Sequence, residues 1–364
     1  MLGKAGVSLV LMILLPWSSQ SRAQTPSPGS PASSSTLAQA GTPTASPTSP
    51  TTDSVKAALD LLAQGKTDEA ITALEGLARQ APATPGLEAA LGQAYYQKRD
   101  FEQAARHLEA AVKQDPKDGE STQLLGLSYH LLGRVQQALP LLEKVQSWLP
   151  RPDVTGSYLL GVDYLQSRQD DQARTAFARM FSVPPDSAQA HLVLAQMMIR
   201  QEFEDKAIHE LQKALQLDAH LPMAHFLLGE MYLFKSQVQP ALDEFHQELA
   251  ANPILWLAYW RMGDAYTRLE QWDLAETALK QAVWLNPEFT GPYVLLGKVE
   301  LKKGDPALAA GFLQRALKMD PNNSFAHYIL GEAYKKLGRT ADADREFALT
   351  QSLRQSEGAS SPAP

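Results

Sequence analysis

Cysteine is absent from the 364 residues. That removes disulfides, thiolate metal ligands and thiol nucleophiles, and it leaves no cysteine to carry a lipid anchor. Long apolar runs are also missing. The longest, from Ala5 to Leu15, is about half of the roughly 20 residues needed to span a bilayer. Positive charge is in deficit, with 33 Lys and Arg against 40 Asp and Glu and a net charge of −7, which disfavours nucleic acid or an anionic membrane as partner. Neither a G-x-x-x-x-G-K-[ST] nor a G-x-G-x-x-G phosphate loop occurs, so nucleotide chemistry has no cradle.

The two ends have their own composition. Lys4 precedes the apolar run, Pro16 closes it, and Ser21-Arg22-Ala23 places small residues before Gln24. This is the layout of a cleavable secretory signal over residues 1–23, and it predicts an exported protein, periplasmic or secreted, with no stable membrane insertion. Residues 24–52 are Pro, Ser, Thr and Ala with almost no charge. Such a linker cannot bury enough apolar surface to offset its ordering entropy, and the tail at 357–364 reads the same way.

Between the ends the chain repeats itself. Gly92, Gly126, Gly161, Gly229, Gly263, Gly297 and Gly331 recur at gaps of 34 or 35 residues, or twice 34, with Ala58 and Ala195 in the two remaining places. Twelve residues after each stands an alanine: Ala70, Ala104, Ala138, Ala173, Ala207, Ala241, Ala275, Ala309 and Ala343. Four further on comes Leu74, Leu108, Leu142, Phe177, Leu211, Phe245, Leu279, Leu313 or Phe347. A fixed period of this length means stacked repeats. Within a unit, Leu125, Tyr129 and Leu132, then Ala138, Leu142 and Val145, are spaced for two amphipathic helices. Gly65, Gly133, Gly304 and Gly338 mark the break between them, and Asp or Asn before proline, as at 115 and 286, ends the second. Glycine inside a helix costs about 1 kcal/mol against alanine. The expected compensation is close approach, glycine in the first helix meeting alanine in the second while large residues fill the flanks.

This pattern resembles the tetratricopeptide repeat. The Leu-Gly pair, the aromatic three residues after Gly, the alanine, the large residue and the proline are matched by Leu91-Gly92, Tyr95, Ala104, Leu108 and Pro116, and likewise in most units. The resemblance implies an all-α solenoid over residues 53–356, about nine helix-turn-helix units forming a right-handed superhelix with first helices lining a concave groove. The units fall at about 51–84, 85–118, 119–152, 154–187, 188–221, 222–255, 256–289, 290–323 and 324–357. Pro140 lies well inside a second helix, and one extra residue enters the period near 150–153, so a bend or offset is expected between the third and fourth units.

Chemical constellations dissolve into the repeat. Gly126-Leu127-Ser128-Tyr129-His130 comes within one residue of a nucleophile elbow, but an elbow needs a preceding strand; mid-helix, Ser128 is packing. His209-Glu210 lacks the second histidine of H-E-x-x-H, because Lys213 stands there. His191, His225 and His327 share one phase with Tyr259 and Tyr293, which favours half-buried packing over a metal. No catalytic residue, metal site or cofactor is expected.

For the groove, the resemblance implies contact from set positions of each first helix. The fifth gives Tyr158, Leu192, Phe226, Trp260, Val294 and Tyr328; the twelfth gives Leu165, Ile199, Leu233 and Leu301; cations Arg200, Arg268, Lys302 and Lys336 edge them, with Lys298 at a ninth position. An apolar floor with a cationic edge fits protein or peptide segments that are apolar with some negative charge. The bland alternative is that a tight superhelix buries this stripe between repeats. The carboxylate clamp for heat-shock chaperones needs lysine at the fifth and asparagine at the ninth position, and this chain has neither. All four of its asparagines lie at inter-repeat turns, so the asparagine ladder of the O-GlcNAc transferase superhelix is missing too. The expected function is a non-catalytic interaction scaffold, exported from the cytoplasm. The alternative is an accessory subunit of a cell-envelope or polysaccharide-export assembly.

Overall fold

A computed structural model describes residues 50–149 and 153–359. The signal (1–23), the linker up to residue 49, the extra residue near 150–152 and the end of the tail (360–364) lie outside the described residues. Every regular element among them is helical. The first helices of the nine units are α1 (Pro50–Ala63), α3 (Leu87–Gln97), α5 (Gly119–Leu131), α7 (Val154–Gln166), α9 (Ala188–Arg200), α11 (Ala224–Phe234), α13 (Trp256–Arg268), α15 (Thr290–Lys303) and α17 (Ser324–Lys336). Their partners are α2 (Thr67–Gln80), α4 (Phe101–Gln114), α6 (Val135–Trp148), α8 (Asp170–Met180), α10 (Glu204–Leu217), α12 (Val238–Ala251), α14 (Trp272–Leu285), α16 (Pro306–Met319) and α18 (Thr340–Ala359). Helix α1 starts three residues inside the expected linker, and α18 runs three residues into the expected tail. Each helix packs on the next in sequence, which makes a solenoid.

Helix ends follow from local chemistry. Asp118, Asp153, Ser187 and Asn323 cap first helices, and Asp100 and Asp305 cap second helices, each accepting a backbone N–H one turn in. Asp115, Asn252, Asn286 and Asp320, each before a proline, leave the helical region at the ends of α4, α12, α14 and α16. The turn inside each unit requires a left-handed residue at one phase. Glycine supplies it at Gly65, Gly133, Gly304 and Gly338, but Arg99, Arg168, Glu202, Ser236 and Glu270 adopt positive φ in the other five units. The register of the turn is therefore imposed by packing on both sides, since a Cβ in this region costs roughly 1–2 kcal/mol.

The periodic alanines are all but inaccessible, and the large residues four further on are sealed beneath the first helix, Phe347 only partly. Each buried Leu or Phe contributes about 1.5–3 kcal/mol. The glycine's partner differs from expectation. A Cβ on Gly161 would lie 2.4 Å from Phe177 Cε1, on Gly229 2.6 Å from Phe245 Cε1, and on Gly126 2.8 Å from Leu142 Cδ2. The glycine thus receives the large side chain sixteen residues on, rather than the alanine. At Gly92 the added carbon would also stand 3.3 Å from the backbone nitrogen of Leu108, so the main chains themselves are close.

Helix α6 runs unbroken through Pro140. Backbones of neighbouring first helices come close from α1 to α5 and again from α11 to α17, but stand farther apart between α5 and α11, where side chains such as His130 and Asp163 bridge the gap. A wider spacing thus begins at the third junction and persists over two more. Bulk offers a reason: the fifth positions are Val55, Ala89 and Gln123 in the first three units and Tyr158, Leu192 and Phe226 in the next three. Trp260 is as large, yet Gly291 opposite it leaves room, a Cβ there lying 3.0 Å from the indole.

Two stability outcomes are expected. Gly161→Ala and Gly229→Ala should each lower stability by about 1–3 kcal/mol, because a ring cannot yield as a leucine tip can; Gly126→Ala should cost less, as read by thermal or urea unfolding. Glu270→Gly should raise the unfolding midpoint by up to about 1 kcal/mol in free energy by relieving the left-handed strain.

Candidate functional site

The resemblance places the expected groove on the first helices, and burial decides which of the expected side chains can touch anything. Leu165, Phe226, Leu233 and Val294 are each less than a tenth exposed and belong to clusters between helices. These four expected contacts are core, because at those depths each first helix buries its stripe against its neighbours. Tyr158, Leu192, Ile199, Trp260 and Lys298 are half-buried, and Arg200, Arg268, Lys302, Lys336 and Tyr328 are exposed. What remains of the expected floor is interrupted; the cationic edge persists. Arg268 bonds to Asp264 at 2.8 Å and to the Leu233 carbonyl at 3.2 Å, whereas Arg200, Lys298, Lys302 and Lys336 engage no side-chain partner among the described residues.

The stretch of the groove between α11 and α15 concentrates unmet polarity. Trp256 and Trp260 flank Phe289 with ring centroids 4.7 and 4.9 Å apart. The Arg261 guanidinium lies 4.3 Å from the Trp260 ring and donates to Glu230 at 2.6 Å. Trp260 Nε1, Arg261 Nε and Glu230 Oε1 are buried without hydrogen-bond partners, which is costly for each group. Burial raises the Glu230 carboxyl above its ordinary pKa, and Arg261 only partly opposes this.

The histidines hold the solenoid together. His191–Glu210, His225–Glu244 and His327–Glu346 join first to second helix nineteen residues apart at 2.6, 2.6 and 2.5 Å, and the second unit swaps the order as Glu88–His107 at 2.7 Å. Sequence reasoning found the histidine phase and missed its partner; a carboxylate recurring nineteen residues on was the available signal. No group of histidines and carboxylates among the described residues could hold a metal ion. His130 reaches across a junction to the fully buried Asp163 at 2.6 Å, and Asp163 Oδ2 has no partner. Ser128 is buried and donates to the Leu124 carbonyl at 2.7 Å, one turn back in its own helix.

Tyrosines at the Gly-plus-three phase bond to the preceding second helix twenty residues back. Tyr95 meets Glu75 at 2.5 Å, Tyr232 meets Gln212 at 3.2 Å and Tyr334 meets Gln314 at 2.8 Å; Tyr129 meets Glu109 in the same way. The hydrogen bond to Glu75, with burial, raises Tyr95 to about 12, and burial, with the bond to Glu109, raises Tyr129 to about 12. In the eighth unit Glu300 takes this place, buried with Oε1 unpartnered, and burial followed by the charge of Glu276 raises its carboxyl.

The hydrogen bond that His225 donates to the Glu244 carboxylate raises the pKa of His225 above 6.5 despite partial burial. A raised folded-state value means the bridge stabilises fully below about pH 6.5 and loses that contribution as pH climbs through the folded value. Unfolding midpoints should therefore fall across neutral pH, and Glu244→Gln should flatten that fall. An unchanged profile in the variant would remove the bridge as its cause.

A family model described as the cilia and flagella-associated protein 70 C-terminal domain, a tetratricopeptide model, matches residues 159–361, more than half of the chain. Two tetratricopeptide repeat models match residues 89–148 and 55–84. No curated protein matches. Among solved structures, MamA from Desulfovibrio magneticus RS-1 is 22% identical over 47% of this chain and 97% of its own, with a TM-score of 0.45. YrrB, described as a tetratricopeptide protein with an unusual peptide-binding site, is 23% identical over 50% and 94%, at 0.44. The Cut9–Hcn1 structure from the APC/C is 19% identical over 73% and 52%, at 0.42. Each is a partial likeness.

Proposed function

We propose, from the premise that this chain belongs to the tetratricopeptide repeat family, that it is a non-catalytic scaffold whose groove binds protein segments. A helical-repeat solenoid offers a long curved surface made of many equivalent positions, and the family's fold suggests protein–protein interaction. The observation that carries the reading is that Arg200, Lys298, Lys302 and Lys336, on the first helices α9, α15 and α17, have no side-chain partner among the described residues, with the half-buried Trp260 on α13. A chain that is acidic overall but leaves these cations without partners on one face favours an occupant with apolar anchors and carboxylates. The sealed positions shift the emphasis: affinity comes from Trp260, Tyr158, Tyr328 and the cationic edge, while Phe226 and Val294 set helix spacing. Unmet hydrogen bonding around Trp260, Arg261 and Glu230 marks the segment of groove where an occupant gains most by ordering the site. Export follows from residues 1–23 read as a signal, which would place the partners among envelope or secreted factors.

Cross-linked affinity capture from the native host tests the groove. Replacing Arg200, Lys302 and Lys336 together by Glu should weaken recovery of the bound proteins by roughly tenfold, at up to about 1 kcal/mol for each rim charge. Equal recovery by wild type and variant would refute the groove as the binding face.

A further inference from the structure

One pair of positions behaves differently in the fourth unit from every other internal unit. The fourth and twenty-third residues of a unit face one another between its helices, nineteen residues apart. They are occupied by Glu88 and His107, Thr122 and Leu141, His191 and Glu210, His225 and Glu244, Tyr259 and Ala278, Tyr293 and Phe312, and His327 and Glu346. In the fourth unit they are Ser157 and Ala176. The bridge is deleted and nothing large replaces it. The first unit also has small residues there, Ser54 and Ala73, but no preceding helix among the described residues forms an outer wall. In the fourth unit that wall is α6, and the result is a cavity of about 450 Å³ between α6, α7 and α8.

The lining is polar and of both senses. Ser157, nearly wholly buried, forms part of it, and its hydroxyl has no hydrogen-bond partner among the described residues. Gln146 accepts from the Asp153 backbone N–H at 3.2 Å through Oε1, which leaves its amide hydrogens to donate. The amide nitrogen occupies the place a side chain on residue 156 would take, 1.8 Å from a Cβ built there, so Gly156 is needed for this geometry. Tyr164 donates to Glu143 on the wall, and Arg179 lines the cavity without an ion-pair partner. The size falls in the range that holds a small molecule, but such pockets are usually mainly apolar.

We infer that this cavity, on the opposite side of the first helices from the groove, binds a neutral polyhydroxylated molecule of mono- to disaccharide size. Hydroxyl, amide and carboxylate groups on facing walls suit a ligand that both donates and accepts at many points. Tyr164, also in the lining, adds an aromatic edge and a hydroxyl to the wall. A strongly anionic ligand is disfavoured because Arg179 is offset by Glu143 in the same lining, Asp171 being paired with Arg174 at 2.7 Å, and a purely apolar one would strand the Ser157 hydroxyl. The inference is independent of what occupies the groove.

The test is ligand-observed saturation-transfer NMR on the full chain with glucose, maltose and myo-inositol as probes. At least one should bind saturably below about 10 mM. Ser157→His with Ala176→Glu installs the pair that already bridges three other units, so the fold has a precedent for it while the cavity is filled; binding should drop at least tenfold with the unfolding midpoint retained. Gln146→Ala, which leaves the core untouched, should weaken binding several-fold and covers the case in which the double variant misfolds. Absence of saturable binding by all three probes, or binding unchanged in Gln146→Ala or in a folded double variant, would overturn the inference. Capture of proteins through the groove should be unaffected by either variant, so failure of one reading leaves the other standing.

Discussion

The contact between a small residue in each first helix, glycine in seven and Ala58 or Ala195 in the other two, and the large side chain sixteen residues later sets the geometry from which the rest follows. Phe177 over Gly161 and Phe245 over Gly229 leave no volume for a methyl group, so the distance between paired helices is fixed by one side chain against bare backbone. The buried alanine four residues before the large one keeps the second helix flush with the first. With that spacing fixed, the intervening turn has one solution, and five non-glycine residues are held at positive φ to satisfy it. Local strain is tolerated because the packing on both sides specifies the path more strongly than the turn residue does.

Junctions between units are held by a second, looser rule. A tyrosine hydroxyl reaches the preceding second helix in most units, but its partner changes from Glu75, which accepts, to Gln212 and Gln314, which donate to it, and Glu300 replaces the tyrosine altogether. Inside units the histidine–carboxylate bridge between paired helices varies in the same way, appearing in four units and in either order. Hydrogen bonds of these kinds add about 1 kcal/mol each or somewhat more where charged. That is enough to bias how neighbouring helices sit, without dictating the fold. The loosened first helices from α5 to α11 show how far the junctions vary while the pairs inside units stay the same.

The period, the helix pairs, the breaks and the nine-fold alanine were legible in the sequence because each is a matter of residue size at fixed spacing. The glycine's true partner was not, because spacing alone does not say whether Gly126 faces Ala138 or Leu142. Nor was the depth of the fifth and twelfth positions. Phe226 and Trp260 share a phase, yet the first is core and the second reaches the groove, and the difference turns on what stands opposite, including Gly291. Ser157 and Ala176 are unremarkable residues whose meaning appears only against the bridges that other units place there.

In a stacked array the shared residues account for the fold, so specificity must come from departures that the packing can absorb. The departures here are of two physical kinds. At Trp260, Arg261 and Glu230 the array has added bulk and charge and left hydrogen-bonding atoms unmet, a local cost that an occupant of the groove can reverse. At Ser157 and Ala176 it has subtracted volume and left a polar hollow. The absence of a side chain at Gly156 leaves Gln146 the place it takes on the wall of this hollow. Both departures depend on the same constraint: because the contacts at Gly161 and Gly263 pin the helices of these two units, a neighbouring position can be enlarged or emptied without the unit collapsing around it.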